Sequence, residues 1–121
     1  MGYRSDVHIL FYADPREREV FPTIRLWFDE AYPDKPDGKS WFTVDKGDDY
    51  IYVKYRDVKW YDSYTDVQAV QKALNEFGAT FFAEGCCEYV RIGENDNDIE
   101  IVDYCEYSEG RLNITREVTL D

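Results

Sequence analysis

The stretch Asp49-Tyr50-Ile51-Tyr52-Val53-Lys54-Tyr55-Arg56-Asp57-Val58-Lys59-Trp60-Tyr61 limits what this chain can become more than any other. Ile51, Val53 and Tyr55 alternate with Tyr52, Lys54 and Arg56, the period-two pattern of a strand with one buried face. At Asp57 the phase slips, and Val58 and Trp60 take over the apolar side. A β-bulge or a strand end produces such a slip. A β-branched and aromatic strand of this length belongs inside a sheet, with helices over one face.

The flanking segments supply the remaining layers. Val7, Ile9 and Phe11 alternate with His8, Leu10 and Tyr12, a first strand with apolar residues on both faces. Asp14-Pro15-Arg16-Glu17 reads as a helix start, with Asp at the N-cap, Pro at N1 and Glu at N3. Val20, Ile24, Trp27, Phe28 and Ala31 keep helical spacing beyond it. Pro22 removes a backbone donor, so this helix is either kinked there or restarts with Pro22 in its first turn. Asp34 to Ser40 is a loop, and Trp41 to Val44 a short strand that forms a hairpin with the organising strand. Thr65-Asp66-Val67-Gln68 has the form of a capping box. The stripe Val67, Val70, Leu74, Phe77 and Phe81 then predicts a second helix over Asp66 to Glu84, with Gly85 as its C′ residue. Strands are expected at Cys87 to Ile92, Asp98 to Tyr104 and Leu112 to Leu120. The expectation is one α+β domain over residues 1–121: a ferredoxin-like βαββαβ order with an added C-terminal β-hairpin, two helices on one face of a mostly antiparallel sheet.

A content of 44% hydrophobic and 17% aromatic residues excludes a disordered chain. The net charge of −12 is uneven: from Glu84 onward there are eleven acids and three bases. Such a chain repels nucleic acid and anionic membrane and attracts basic surfaces. No segment approaches the about 20 apolar residues of a membrane span, and the N-terminus lacks the apolar core of a signal peptide. Three cysteines, two of them adjacent, do not make a disulfide framework. A cytoplasmic, reducing location is expected, and the sequon Asn113-Ile114-Thr115 reads as coincidence.

Few residues carry chemistry. His8 is the only histidine, too few for a hydrolytic triad or a His-based metal site. The side chains of adjacent Cys86 and Cys87 diverge; Cys105 could approach one of them across the sheet, and all three read as small buried apolar groups. Glu94 to Glu100 imitates a calcium loop but lacks the glycine and the bidentate glutamate that an EF-hand turn needs. Phosphate-cradling glycine patterns are absent. With 26 acids, close carboxylate pairs arise by chance and nominate no catalytic dyad. No enzymatic activity, cofactor or metal is expected.

The acidic excess is the remaining signal. Glu94, Asp96, Asp98, Glu100, Asp103, Glu106 and Glu109, with Tyr104 and Tyr107 interleaved, form the candidate protein-binding surface. Acids repeated on a rigid sheet imitate duplex phosphates and would capture a basic, nucleic-acid-binding protein through its Lys and Arg. The bland reading is a solvated acidic surface that keeps an aromatic-rich domain soluble, as a monomer or small homo-oligomer. A rival reading is a small-molecule-binding domain or enzyme that uses Tyr50, Tyr52, Lys54 and Arg56 on an exposed sheet face.

The opening Met1-Gly2-Tyr3-Arg4-Ser5-Asp6-Val7 resembles that of small, acidic, mostly uncharacterised proteins encoded by bacteriophages and prophages, and Val58-Lys59-Trp60-Tyr61-Asp62 and Tyr89-Val90-Arg91-Ile92-Gly93-Glu94 are similar to the same group. The resemblance implies an inhibitor of host defence, anti-restriction or anti-CRISPR, acting in the host cytoplasm as a DNA mimic. It implies no catalytic residues. A structural phage component that self-associates through its sheet edge is a third reading, against which edge charge argues.

Overall fold

The computed structural model describes residues 3–33, 42–95, 97–114 and 118–120. The chain is α+β: two α-helices and a five-stranded antiparallel sheet in the order β2-β3-β1-β4-β5. The strands are β1 (Ser5–Ala13), β2 (Thr43–Lys46), β3 (Tyr50–Val58), β4 (Gly85–Gly93) and β5 (Ile99–Asp103), with helices α1 (Phe21–Ala31) and α2 (Thr65–Thr80) between them. The sequon's Thr115, the expected loop, Trp41 and Asp96 lie outside the described residues.

The organising strand, β3, is interior, between β1 and β2. The central position belongs to β1, because Val7, Ile9 and Phe11 on one face and Leu10 and Tyr12 on the other are all buried. The expected slip at Asp57 is a bulge. Ser5 pairs with Val58 but Val7 with Tyr55, leaving one extra residue on β3. Asp57 takes it up at a φ of 54°, and its N–H donates to Asp6 Oδ1 at 2.8 Å. An aspartate tolerates this left-handed conformation better than a branched residue does.

Of the two fates open to the first helix, the restart is the one adopted. Asp14 caps a 3₁₀ turn, Pro15–Val20, by accepting from the Arg16 N–H at 2.9 Å. The α-helix then begins at Phe21 with Pro22 in its first turn, where a missing N–H costs nothing. At α2 the capping box is not formed. Thr65 is already helical, the N-cap is Tyr64, and it makes no side-chain cap bond. Gln68 instead donates to the Asp62 carbonyl at 3.0 Å. The helix also stops earlier than expected, at Thr80. Gly85 is not its C′ residue but the first residue of β4, paired with Ala13.

Both helices pack on one face of the sheet, where Ile24 and Phe28 of α1 and Leu74 and Phe77 of α2 meet Ile9, Phe11 and Val53. Phe11 lies within 5.1 Å of the Phe77 ring and 5.7 Å of Phe28, both edge-on, an arrangement aromatic pairs favour. Gly78 lets α2 approach the end of β5: a Cβ there would stand 2.4 Å from the Tyr104 carbonyl oxygen. The opposite face carries a smaller cluster, Leu10, Tyr12, Tyr52, Cys86 and Val90, closed by Leu112.

The C-terminal third departs from the expected order. β5 joins the main sheet beside β4. The single strand expected over Leu112 to Leu120 is two short ones, β6 (Leu112–Ile114) and β7 (Val118–Leu120), paired with each other.

Candidate protein-binding surface

The turn from β4 to β5 is built around Arg91 and Tyr3. Gly93 N–H donates to the Asp98 carbonyl at 2.8 Å. The Arg91 guanidinium grips Asp98 through both terminal nitrogens, at 2.8 and 3.2 Å, and its Nε reaches Glu100 at 3.2 Å. Tyr3 Oη donates to Asp98 at 2.6 Å and accepts from the Asn95 N–H at 3.0 Å. The Arg91 guanidinium, then the Tyr3 hydroxyl, hold the Asp98 carboxyl below its ordinary range. Glu100 also accepts from Tyr89 Oη at 3.2 Å, and Glu94 accepts from the Arg4 backbone N–H at 2.9 Å.

The acids of the candidate surface therefore divide. Glu94, Asp98 and Glu100 are engaged within the fold. Asp103, Glu106 and Glu109 are exposed, and among the described residues their carboxylates take part in no hydrogen bond or ion pair. The two tyrosines are not free contact area either. Tyr104 is half-buried, edge-on to Tyr89 at 6.4 Å, and burial pushes its hydroxyl up to about 12. Tyr107 is half-buried beneath the Arg16 guanidinium, 5.5 Å from its ring centre.

Two features escaped the sequence reading. Ile99 and Ile101 on β5 are 42% and 60% exposed, although the alternation Ile-Glu-Ile marks both as one face of a strand. Glu88 was unremarkable as one acid among many, yet it is buried and holds the returning chain. Its carboxylate accepts from Tyr12 Oη, from Ser108 Oγ at 3.1 Å, and from the N–H groups of Arg111 and Leu112, both at 3.0 Å. No sequence signal distinguished it beyond its place in the apolar run Cys86 to Val90.

The other candidates are structural in setting. His8 is 6% exposed with Nδ1 2.8 Å from Tyr52 Oη, and burial pushes its pKa down to about 4. Cys86 and Cys87 face opposite clusters, and burial raises the Cys86 and Cys105 thiols to about 12, far from the thiolate that redox or metal chemistry needs. Among the described residues no group of three His, Cys, Asp or Glu could hold a metal ion. Tyr50, Tyr52, Lys54 and Arg56 do not converge on a pocket: Tyr52 turns inward to His8, while Arg56 is exposed. A cleft of about 470 Å³ lies elsewhere, between Ala13, Phe21, Pro22, Arg18, Asp49 and Arg111.

No helix among the described residues is long and apolar enough to cross a membrane. No family model matches the chain, and no curated protein or solved structure is significantly similar to it.

Proposed function

We propose that this is a non-enzymatic, phage-type protein-binding domain whose acidic flank captures a basic, nucleic-acid-binding protein of the bacterial host cytoplasm, standing in for DNA and so blocking a defence system of the restriction or CRISPR kind. Its fold is read as ferredoxin-like, with β5 added beside β4; the strand order β4-β1-β3-β2 around two crossover helices supports that reading.

The observation that carries the function is the charge of one flank. From Ile92 to Gly110 there is no lysine or arginine, and Asp103, Glu106 and Glu109 are exposed with no ion pair among the described residues, Arg16 interacting with Glu106 only at longer range and Arg18 and Arg111 sharing a cleft with Glu109. A charge left unpaired in water costs the fold little and attracts an oppositely charged partner over about 8–10 Å at physiological salt. The variant that tests this spares Asp98 and Glu100, because both hold Arg91. The combination Asp103→Asn, Glu106→Gln and Glu109→Gln should keep the melting temperature while losing a nucleic-acid-binding protein that the immobilised wild-type chain retains from bacterial lysate. Duplex DNA and high salt should release the same protein. Retention that ignores salt, DNA and the three substitutions would overturn the reading.

A further inference from the structure

Strand β5 ends the sheet, and among the described residues no strand pairs with its outer side. Its register with β4 decides which backbone groups lie on that side. Gly93 N–H donates to the Asp98 carbonyl and Tyr104 N–H to the Cys87 carbonyl. In an antiparallel pair, residues alternate between pointing their N–H and C=O at the neighbour and away from it. Asp98, Glu100, Val102 and Tyr104 therefore face β4, while Ile101 and Asp103, with the Ile99 carbonyl, face outward. The residues with outward backbone are the same ones whose side chains lie on the sheet face opposite the helices, since Ile99 and Ile101 pair with Ile92 and Val90. The outer side of β5 thus offers a row of hydrogen-bonding groups beside two exposed isoleucines, flanked by carboxylates.

We propose that the partner binds here by strand addition: an extended segment, apolar at every second residue and basic between, continues the sheet beyond β5. Its apolar side chains cover Ile99 and Ile101, its backbone exchanges hydrogen bonds with Ile101 and Asp103, and its lysines or arginines lie on the other face of the added strand, beside Glu100. Main-chain bonds supply affinity in this mode, and side-chain pockets supply specificity. A second copy of the chain is the wrong occupant. Two β5 strands side by side would bring together two edges that each carry Glu100 and Asp103, on molecules that each have a net charge of −12, and such like-charged surfaces repel. The proposal rests on the acidic-flank reading but adds a backbone requirement that simple charge attraction lacks.

That requirement is testable with acetyl-Lys-Val-Lys-Val-Lys-Val-Lys-amide and two methylated forms of it, at physiological ionic strength. In the bound strand, antiparallel to β5, the valines lie opposite Ile99 and Ile101, so their N–H groups point at β5 and those of the lysines point away. N-methylation of the valines should weaken binding by at least about tenfold, because each lost main-chain bond leaves its partner unpaired. N-methylation of the lysines should leave binding near that of the parent peptide, and amide hydrogen exchange of the protein should slow at Ile101 and Asp103. Equal binding by both methylated peptides would overturn strand addition while leaving the acidic-flank reading intact. Failure of all three peptides, or protection confined to β2, would also overturn it. Loss of lysate capture by the triple acid variant tests the flank independently of any of these outcomes.

Discussion

The two faces of the sheet are closed by different physics. On the helix face Phe11, Phe28 and Phe77 interlock beneath α1 and α2, and Tyr32 and Tyr55 satisfy each other's hydroxyls. Charge is confined to its margin, where Lys46 lies over the Phe28 ring and Glu100 accepts from Tyr89. On the other face no helix is present among the described residues, and the cover there is the short segment Ser108 to Leu112, held by one buried carboxylate. Hydrophobic closure is non-directional and tolerates drift, whereas the Glu88 closure depends on four donors reaching two oxygens. The first face should therefore fail by degrees with lost volume, and the second locally, by releasing its cover.

The largest effect is expected on the helix face. Phe77 is fully buried and lies 5.1 Å from the Phe11 ring and 5.0 Å from Trp27. Phe77→Ala should cost about 3–5 kcal/mol, as removal of a buried aromatic side chain does. Urea unfolding should register this as a lower midpoint with one cooperative transition. A cost below about 1 kcal/mol, the scale of an average substitution, would mean that the face is not one packed unit.

Glu88→Ala comes next, at about 2–4 kcal/mol, since it leaves buried donors without their charged acceptor. The expected signature is local. The amides of Arg111 and Leu112, which now donate to Glu88, should exchange rapidly, while those of β1 change far less. Uniform loss of protection over the whole sheet would erase the distinction between the faces.

His8, also on the second face, makes that closure pH-dependent. Its folded pKa, about 4, lies below the ordinary 6.5 because burial disfavours the imidazolium; Asp6 opposes this, and Lys54 and Arg56 add to it. The unfolded chain therefore takes up the proton first. The contribution is complete above pH 6.5, falls as pH drops towards 4, and is then fully lost. The slope is at most about 1.4 kcal/mol per pH unit. Unfolding midpoints between pH 7 and 5 should fall for the wild type and flatten for His8→Gln, in a range where most carboxylates are still ionised. An unchanged slope in the variant would assign the pH dependence to other groups.

What the sequence made legible was whatever repeats. The alternation in β1 and β3 and the stripe of α2 predict those elements because periodic burial leaves a periodic pattern, and even the slip at Asp57 was visible as a break in it. The second-face cover was not legible. Ser108, Arg111 and Leu112 are joined to Glu88 by single contacts across about 20 residues or more, and such contacts have no period. Local signals also yielded to tertiary ones: Thr65 and Gln68 have the residues of a capping box, but Gln68 is taken up by Asp62. The acidic surface was legible in composition only. Its division into acids that serve Arg91 and acids that stand free depends on a register that charge counting cannot see.

The smallest expected effect bounds the comparison. Ile101 lies on the second face by register, opposite Val90, yet it is 60% exposed where Val90 is 2% exposed. If the cover over this face ends at Leu112, Ile101 lies beyond it, and Ile101→Lys should change stability by no more than about 0.5 kcal/mol, as surface substitutions do. The urea midpoint of the variant reads this directly. A loss well above that value would mean that the second face extends to β5 and that its closure is wider than the segment Glu88 holds. A neutral result leaves the Ile101 side of β5 outside the second packed layer, while Val102 on its other side still packs against the helix-face core, so that Ile101 contributes little to folding and is available to a partner.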